Sequence, residues 1–192
     1  MMKRLIIFAS GSGTNAQNII QHFKYHKLVK VVLVLTNNKD AKVLDRCKVL
    51  KTNSLVFSKD ELMSAKSVNE VLKQEKPDLI ILAGFLLKFP EFILKEFPNK
   101  VINLHPALLP KYGGKGMFGH HVHKAVIANN EKETGITFHY VNENYDEGAI
   151  IFQKSVSLEA NETPDTVAKK IHELEHAYFP KVIEDLLFPA HK

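Results

Sequence analysis

Two glycines in three residues, Gly11 and Gly13, interrupt the apolar run of IIFASGSGTNAQNII (residues 6–20), after which apolar positions return at helical spacing. Glycines here let backbone amides face outward with no Cβ in the way. A helix beginning near Thr14 adds its unsatisfied N–H groups and the positive end of its dipole. Such a turn binds an anion, most often a phosphate. A second pair, Asn103 and His105, stands two residues apart in VINLHP, so on a strand end both side chains share one face. An amide donor beside an imidazole can stabilise a developing oxyanion and move a proton. An Asn that caps a loop and a His bonded to a backbone carbonyl fit the same spacing equally well. Asp146, in NENYDEGAII, is a carboxylate able to orient or protonate an imidazole, and equally able simply to shape a turn.

Gly11-Ser12-Gly13-Thr14-Asn15-Ala16 also fits the dinucleotide fingerprint G-x-G-x-x-G/A. A dinucleotide site places an acidic residue at the end of the second strand, whereas this one ends Leu35-Thr36-Asn37-Asn38. No Gly-Lys-Ser/Thr follows the glycines, which excludes a nucleoside-triphosphate P-loop. A monophosphate ester is the better reading.

The elements that must position these residues alternate in type. Short β-branched runs at 3–9, 30–36, 53–57, 78–84 and 100–105 are of the kind buried on both faces of a parallel sheet. Helical patterns at 15–25, 40–51 and 59–75 separate them, the last opening with Ser58, Asp60 and Glu61 and ending before Pro77. Alternation of this sort implies right-handed βαβ units and a doubly wound, mostly parallel α/β sheet. Ligands sit outside the carboxyl ends of such strands, where SGSGTN, AGF (83–85) and NLHP (103–106) all fall. After residue 105 the pattern changes to a glycine-rich loop (110–119), a helical stretch at 120–129, an antiparallel strand pair at 134–141 and 149–156, and a long C-terminal helix at 163–187. Thr163, Pro164 and Asp165 supply that last helix with a cap, a first-turn proline and an acidic first turn.

The 192 residues fit one domain (1–192), with 1–100 as a nucleotide-phosphate half and 101–192 as the half that carries Asn103, His105 and Asp146. The chain is expected to be cytoplasmic, since it has no long apolar span and no signal-peptide pattern. The single Cys47 is expected to be buried on a helix. A net charge of +5, carried mainly by scattered lysines with only two arginines, Arg4 and Arg46, suits anionic small molecules rather than nucleic acid. His120, His121 and His123, and likewise His22 and His26, lack convergent further ligands for a metal; the first group reads as a solvated loop–helix junction and the second as an exposed helix face.

Taken together, ASGSGTN, DLIILAGF, VINLHPALLP, GITFHYVNENYDEGAII and ELEHAYFP strongly resemble glycinamide ribonucleotide (phosphoribosylglycinamide) formyltransferases, folate-dependent enzymes of purine biosynthesis. The resemblance spans nearly the whole chain and keeps the motif order. It implies a Rossmann-like formyltransferase fold and direct formyl transfer from 10-formyltetrahydrofolate to the amine of glycinamide ribonucleotide, with no metal. It implies a catalytic trio of Asn103 as oxyanion donor, His105 as stabilising imidazolium and Asp146 as holder of that charge state, supported by His139. It implies that Gly11, Ser12, Gly13, Thr14 and Asn15 hold the phosphate and that Glu175 lies near the glycinamide. Phe85, Leu86, Leu87, Lys88 and Phe89, with Asn103 and Asp146, would line the folate site. The expected partners are those two small molecules, with no nucleic acid and no membrane, in a monomer or homodimer.

Three positions depart from the family pattern: the 111–123 loop is longer and richer in glycine, His172 stands where many relatives have Gln, and Leu87 where a larger or charged residue is common. Related formyl-transferring enzymes acting on methionyl-tRNA or on nucleotide sugars, and the formyltetrahydrofolate hydrolase, share NLHP and the aspartate turn. The tRNA enzyme and the hydrolase carry further domains for which 192 residues leave no room. A hydrolase and a sugar-nucleotide formyltransferase remain the alternative functions. A nucleotide-binding regulatory module would have no need for Asn103 and His105 to face Asp146, and a dinucleotide-dependent reductase would need ribose recognition after the second strand.

Overall fold

The computed structural model describes residues 1–189; the last three positions of the expected 1–192 domain lie outside the described residues. Seven strands, β1 (Lys3–Phe8), β2 (Val29–Thr36), β3 (Ser54–Val56), β4 (Leu79–Leu82), β5 (Val101–His105), β6 (Glu133–Tyr140) and β7 (Ile150–Ser157), form one sheet in the order β3-β2-β1-β4-β5-β6-β7. The first five are mutually parallel; β6 and β7 run antiparallel to their neighbours. This is the doubly wound, mostly parallel sheet expected from the alternation, with the reversed pair at one edge.

Seven helices cover it: α1 (Thr14–Phe23), α2 (Val43–Leu50), α3 (Lys59–Leu62), α4 (Val68–Glu75), α5 (Glu91–Glu96), α6 (His120–Ala128) and α7 (Pro164–Leu187). The period-2 alternation along β1 decides which side each residue packs. Leu5 and Ile7 join Ile19, Phe23, Phe138, Ile171 and Phe179 under α1 and α7. Ile6 and Phe8 join Leu62, Leu72, Ile80 and Ile93 under α3, α4 and α5. Cys47 is fully buried on α2, where desolvation raises its thiol pKa.

The single helix expected at 59–75 is two. Ser58 and Glu61 form a capping box, but α3 ends after one turn and α4 begins only at Val68. The expected helix at 40–51 starts at Val43, and α5, which the sequence reading did not identify, follows Pro90. Thr163 caps α7 as expected, in a capping box with Thr166.

Candidate active site

A cleft of about 870 Å³ lies along the carboxyl edge of the parallel strands. Its lining includes the turn after β1 (Gly11–Asn15), the segment after β4 (Phe85–Phe89), the end of β5 (Asn103, His105), His139 of β6, Asp146 and Glu175 of α7. The structure therefore brings every sequence-predicted site residue to one cavity, within the common size range of small-molecule sites of about 300–1,000 Å³. Both halves of the chain contribute to it.

At one end, Gly13 caps α1 with a left-handed φ of 71° and no side chain accepts from the helix's first N–H groups. The cradle is open to an anion. The two glycines differ in kind. A Cβ on Gly13 would sit 2.4 Å from Val43 Cγ2, whereas one on Gly11 would meet no protein atom within 4 Å. Gly13→Ala is accordingly expected to destabilise the fold by about 1–3 kcal/mol from backbone strain alone, before the overlap with Val43 is added. Gly11→Ala should unfold within about 0.5 kcal/mol of the parent and show its effect in weakened binding of the phosphorylated ligand. Thermal melts and calorimetric titration of both variants check this; equal melting points and equal affinities would overturn the distinction.

Asn15 and Glu175 close this end. Asn15 Nδ2 donates to Glu175 Oε2 at 2.9 Å, and Asn15 Oδ1 is buried with no partner. His172 Nδ1 lies 3.3 Å from the same carboxylate oxygen, and this hydrogen bond raises the His172 pKa. At the second-strand end, Ser10 Oγ donates to Asn37 Oδ1 at 2.6 Å, so that polar position is engaged with the first loop.

Mid-cleft, the β5–β6 register sets Asn103 directly opposite His139. His139 Nδ1 donates to the Tyr140 carbonyl at 2.9 Å, and Nε2 lies 3.1 Å from Asn103 Nδ2 and 3.5 Å from Asp146 Oδ1. As the neutral ring, Nε2 accepts from the Asn103 amide; as the cation it donates to Asp146. The connection from β6 to β7 folds back over this level because residue 148 is glycine: a Cβ there would lie 1.7 Å from the Tyr140 oxygen. Asp146, at φ 57°, then reaches three neighbours besides His139. Its Oδ2 accepts from Gly114 N at 2.9 Å and lies 3.5 Å from His105 Nδ1, while Asn103 Nδ2 stands 3.5 Å from Oδ1.

His105 is almost fully buried, and its Nε2–H donates to the Tyr112 carbonyl at 2.7 Å. Burial is the largest influence on the ring and holds its pKa below the ordinary imidazole value, against the charge of Asp146 and the Tyr112 carbonyl, which both favour the cation. Burial also pushes the Asp146 carboxyl up, but the hydrogen bond with His139, the charge of His105 and the Gly114 N–H outweigh it and leave the pKa below the usual carboxylate value. Desolvation thus works against the imidazolium expected for His105, and the Asp146 carboxylate works for it. In the neutral tautomer with the hydrogen on Nε2, Nδ1 faces the carboxylate at 3.5 Å and can take up a proton there.

Beyond Asp146, Phe85 and Leu87 are half-buried and Leu86 is exposed, while Phe89 is buried edge-on against Phe8 at 5.2 Å and serves the core first. Lys88 Nζ lies 5.9 Å from the Tyr145 ring centre. His123 corrects the reading of the 120–123 histidines as solvated: it is buried, lines the cleft and has an unpartnered Nδ1. His22 pairs with Glu184 at 3.0 Å, and His26 lies beyond the end of α1, so these two do not form one exposed helix face. Among the described residues, no group of three or more His, Cys, Asp or Glu is arranged to hold a metal ion. Tyr112 and Gly114 are contributors that the sequence reading did not single out, and His123 is one that it placed in solvent.

Residues 3–183 match the formyl transferase family model. The chain is 36% identical over 187 residues to the chloroplastic phosphoribosylglycinamide formyltransferase of Arabidopsis thaliana, covering 94% of this chain and 64% of that protein. It therefore spans less than two thirds of that plant protein's length. It is 32% identical to the phosphoribosylglycinamide formyltransferase of Bacillus subtilis, covering 97% of this chain and 95% of that one. The crystal structure of phosphoribosylglycinamide formyltransferase from Bacillus halodurans superposes with a TM-score of 0.88 at 36% identity, covering 98% and 97% of the two chains. With the family model matched over residues 3–183 and 32% identity spanning 97% of this chain, the chain belongs to the formyl transferase family.

Proposed function

We propose that this chain transfers the formyl group of 10-formyltetrahydrofolate to the primary amine of glycinamide ribonucleotide, a step of purine biosynthesis in the cytoplasm. The observation that carries the reading is the shared cleft: an uncapped helix N-terminus for a phosphate at one end, an apolar wall at the other, and Asn103, His105 and Asp146 between them. Phe85, Leu86 and Leu87 offer apolar surface suited to a pterin ring. Gly11 to Asn15 and Glu175 suit a phosphorylated ribose carrying hydroxyls.

In this mechanism the amine nitrogen attacks the formyl carbon, a C–N bond forms, and an oxyanion develops on the formyl oxygen. Asn103 donates to that oxygen. His105 Nδ1, facing Asp146, accepts the proton that the amine sheds, by way of water, and the pair becomes imidazolium with carboxylate. His105 and Asp146 then return a proton to the departing folate nitrogen as its bond to the formyl carbon breaks. The pair acts first as base and then as acid, and no covalent enzyme intermediate is required. Holding the two substrates together is worth as much as about 7–11 kcal/mol in well-oriented cases.

The decisive experiment follows the folate donor spectrophotometrically with and without glycinamide ribonucleotide. Consumption that depends on the ribonucleotide, with formylglycinamide ribonucleotide as product, is expected. Consumption without any amine would make the chain a formyltetrahydrofolate hydrolase, and activity only with an amino-sugar nucleotide would make it a sugar-nucleotide formyltransferase.

A further inference from the structure

Two successive carbonyls of the phosphate loop turn back against α2. Val43 N–H donates to the Gly11 oxygen at 3.2 Å, and Arg46 Nε–H donates to the Ser12 oxygen at 2.7 Å. In a planar trans peptide the C=O and N–H point in opposite directions. Tying these carbonyls to α2 therefore turns the N–H groups of Ser12 and Gly13 away from α2, toward the cleft that both residues line. Arg46 is not part of that lining. Its guanidinium stands behind the loop, with Nη1 also donating to Gln17 Oε1 on α1, the helix whose N-terminus completes the cradle. A planar fork holds the loop carbonyl and the helix at once, which a single ammonium cannot reproduce. The other arginine, Arg4, is bound to Glu75 near the start of β1.

We propose that Arg46 is the positioning residue of the anion cradle: its bond to the Ser12 carbonyl aims the Gly13 N–H at the ligand phosphate and sets a permanent positive charge behind the loop. This rests on reading the loop as a phosphate site. Arg46→Gln keeps helix α2 and removes the charged fork, and Arg46→Lys keeps the charge alone. The probes are glycinamide ribonucleotide, its dephosphorylated ribonucleoside and ribose 5-phosphate, titrated calorimetrically, with KM measured for both substrates. Arg46→Gln is expected to weaken both phosphorylated ligands about tenfold, the usual scale of a hydrogen bond to a charged group. The ribonucleoside should bind parent and variant alike, the folate KM should hold, and Arg46→Lys should recover only part of the loss.

Affinity of Arg46→Gln for the ribonucleotide within about twofold of the parent overturns the inference. So does an equal loss for the ribonucleoside, which marks a general structural role, and so does full recovery in Arg46→Lys, which assigns the effect to charge without orientation. A parent protein that fails to bind ribose 5-phosphate removes the phosphate reading itself, and the role of Arg46 with it. A parent that binds beside an unaffected Arg46→Gln removes the role of Arg46 alone.

Discussion

Asp146→Asn is expected to lower kcat by about 10²–10⁴-fold, the range associated with losing a positioned proton-transfer group, while both substrates bind with near-parental affinity. Asparagine keeps the shape and can still accept from the Gly114 N–H, which donates to Asp146 Oδ2 in the parent. What it loses is the negative charge that favours the protonated ring of His105. The sign follows directly. His105 already sits below the ordinary imidazole value because it is buried, and without the carboxylate it falls further, so it becomes a weaker base. The acid limb of the pH profile of kcat should move to lower pH in the variant, even as turnover at neutral pH falls. The measurement is kcat against pH for parent and variant, with direct binding of each ligand. A parental pH profile accompanied by weakened folate binding would reassign Asp146 to the wall of the folate site.

Asn103→Ala is expected to act on the transition state alone. Loss of one oxyanion donor costs about 2.7–4 kcal/mol, roughly 10²–10³-fold in kcat, with KM for both substrates changing little by comparison. Asn103 is half-buried on the cleft wall, and its amide is oriented by His139 Nε2 at 3.1 Å rather than left free to rotate. That preorganisation gives the donor its value, because no reorientation is needed as charge develops. A variant whose kcat stays within about threefold of the parent would reduce Asn103 to a structural residue of β5.

Features written in local residue types were legible before any fold was known. The glycine turn announces its own backbone geometry, Ser58 and Thr163 carry cap signals with partners three residues on, and β-branched runs separated by helical spacing imply the doubly wound sheet. The break between α3 and α4 was hidden because residues 59–75 keep helix-compatible composition through Ser64–Ser67. The six residues of α5 are too few to display a period.

The sequence allowed a backbone carbonyl as the partner of His105 without naming it. The one that accepts from Nε2 is that of Tyr112, at φ 58°, and a carbonyl has no residue type to read. The lowered pKa of His105 was equally out of reach, since it follows from burial that only the packed structure establishes. The burial of His123 was masked by its neighbours, His120 and His121, which are exposed.

The hydrogen bond from Asn15 to Glu175 joins residues 160 positions apart, and Asn18 Nδ2 reaches the His176 carbonyl across a similar span. The first helix and the last thus complete one wall together, in a region where loop closure is the costliest in the chain. The carboxylate of that wall is present only in molecules whose C-terminal helix is seated. The apparent dissociation constant of any ligand held by both Asn15 and Glu175 is the intrinsic one divided by the seated fraction. Such a ligand draws the two ends of the polypeptide together by mass action, and its affinity contains the native-state opening equilibrium of the terminal helix.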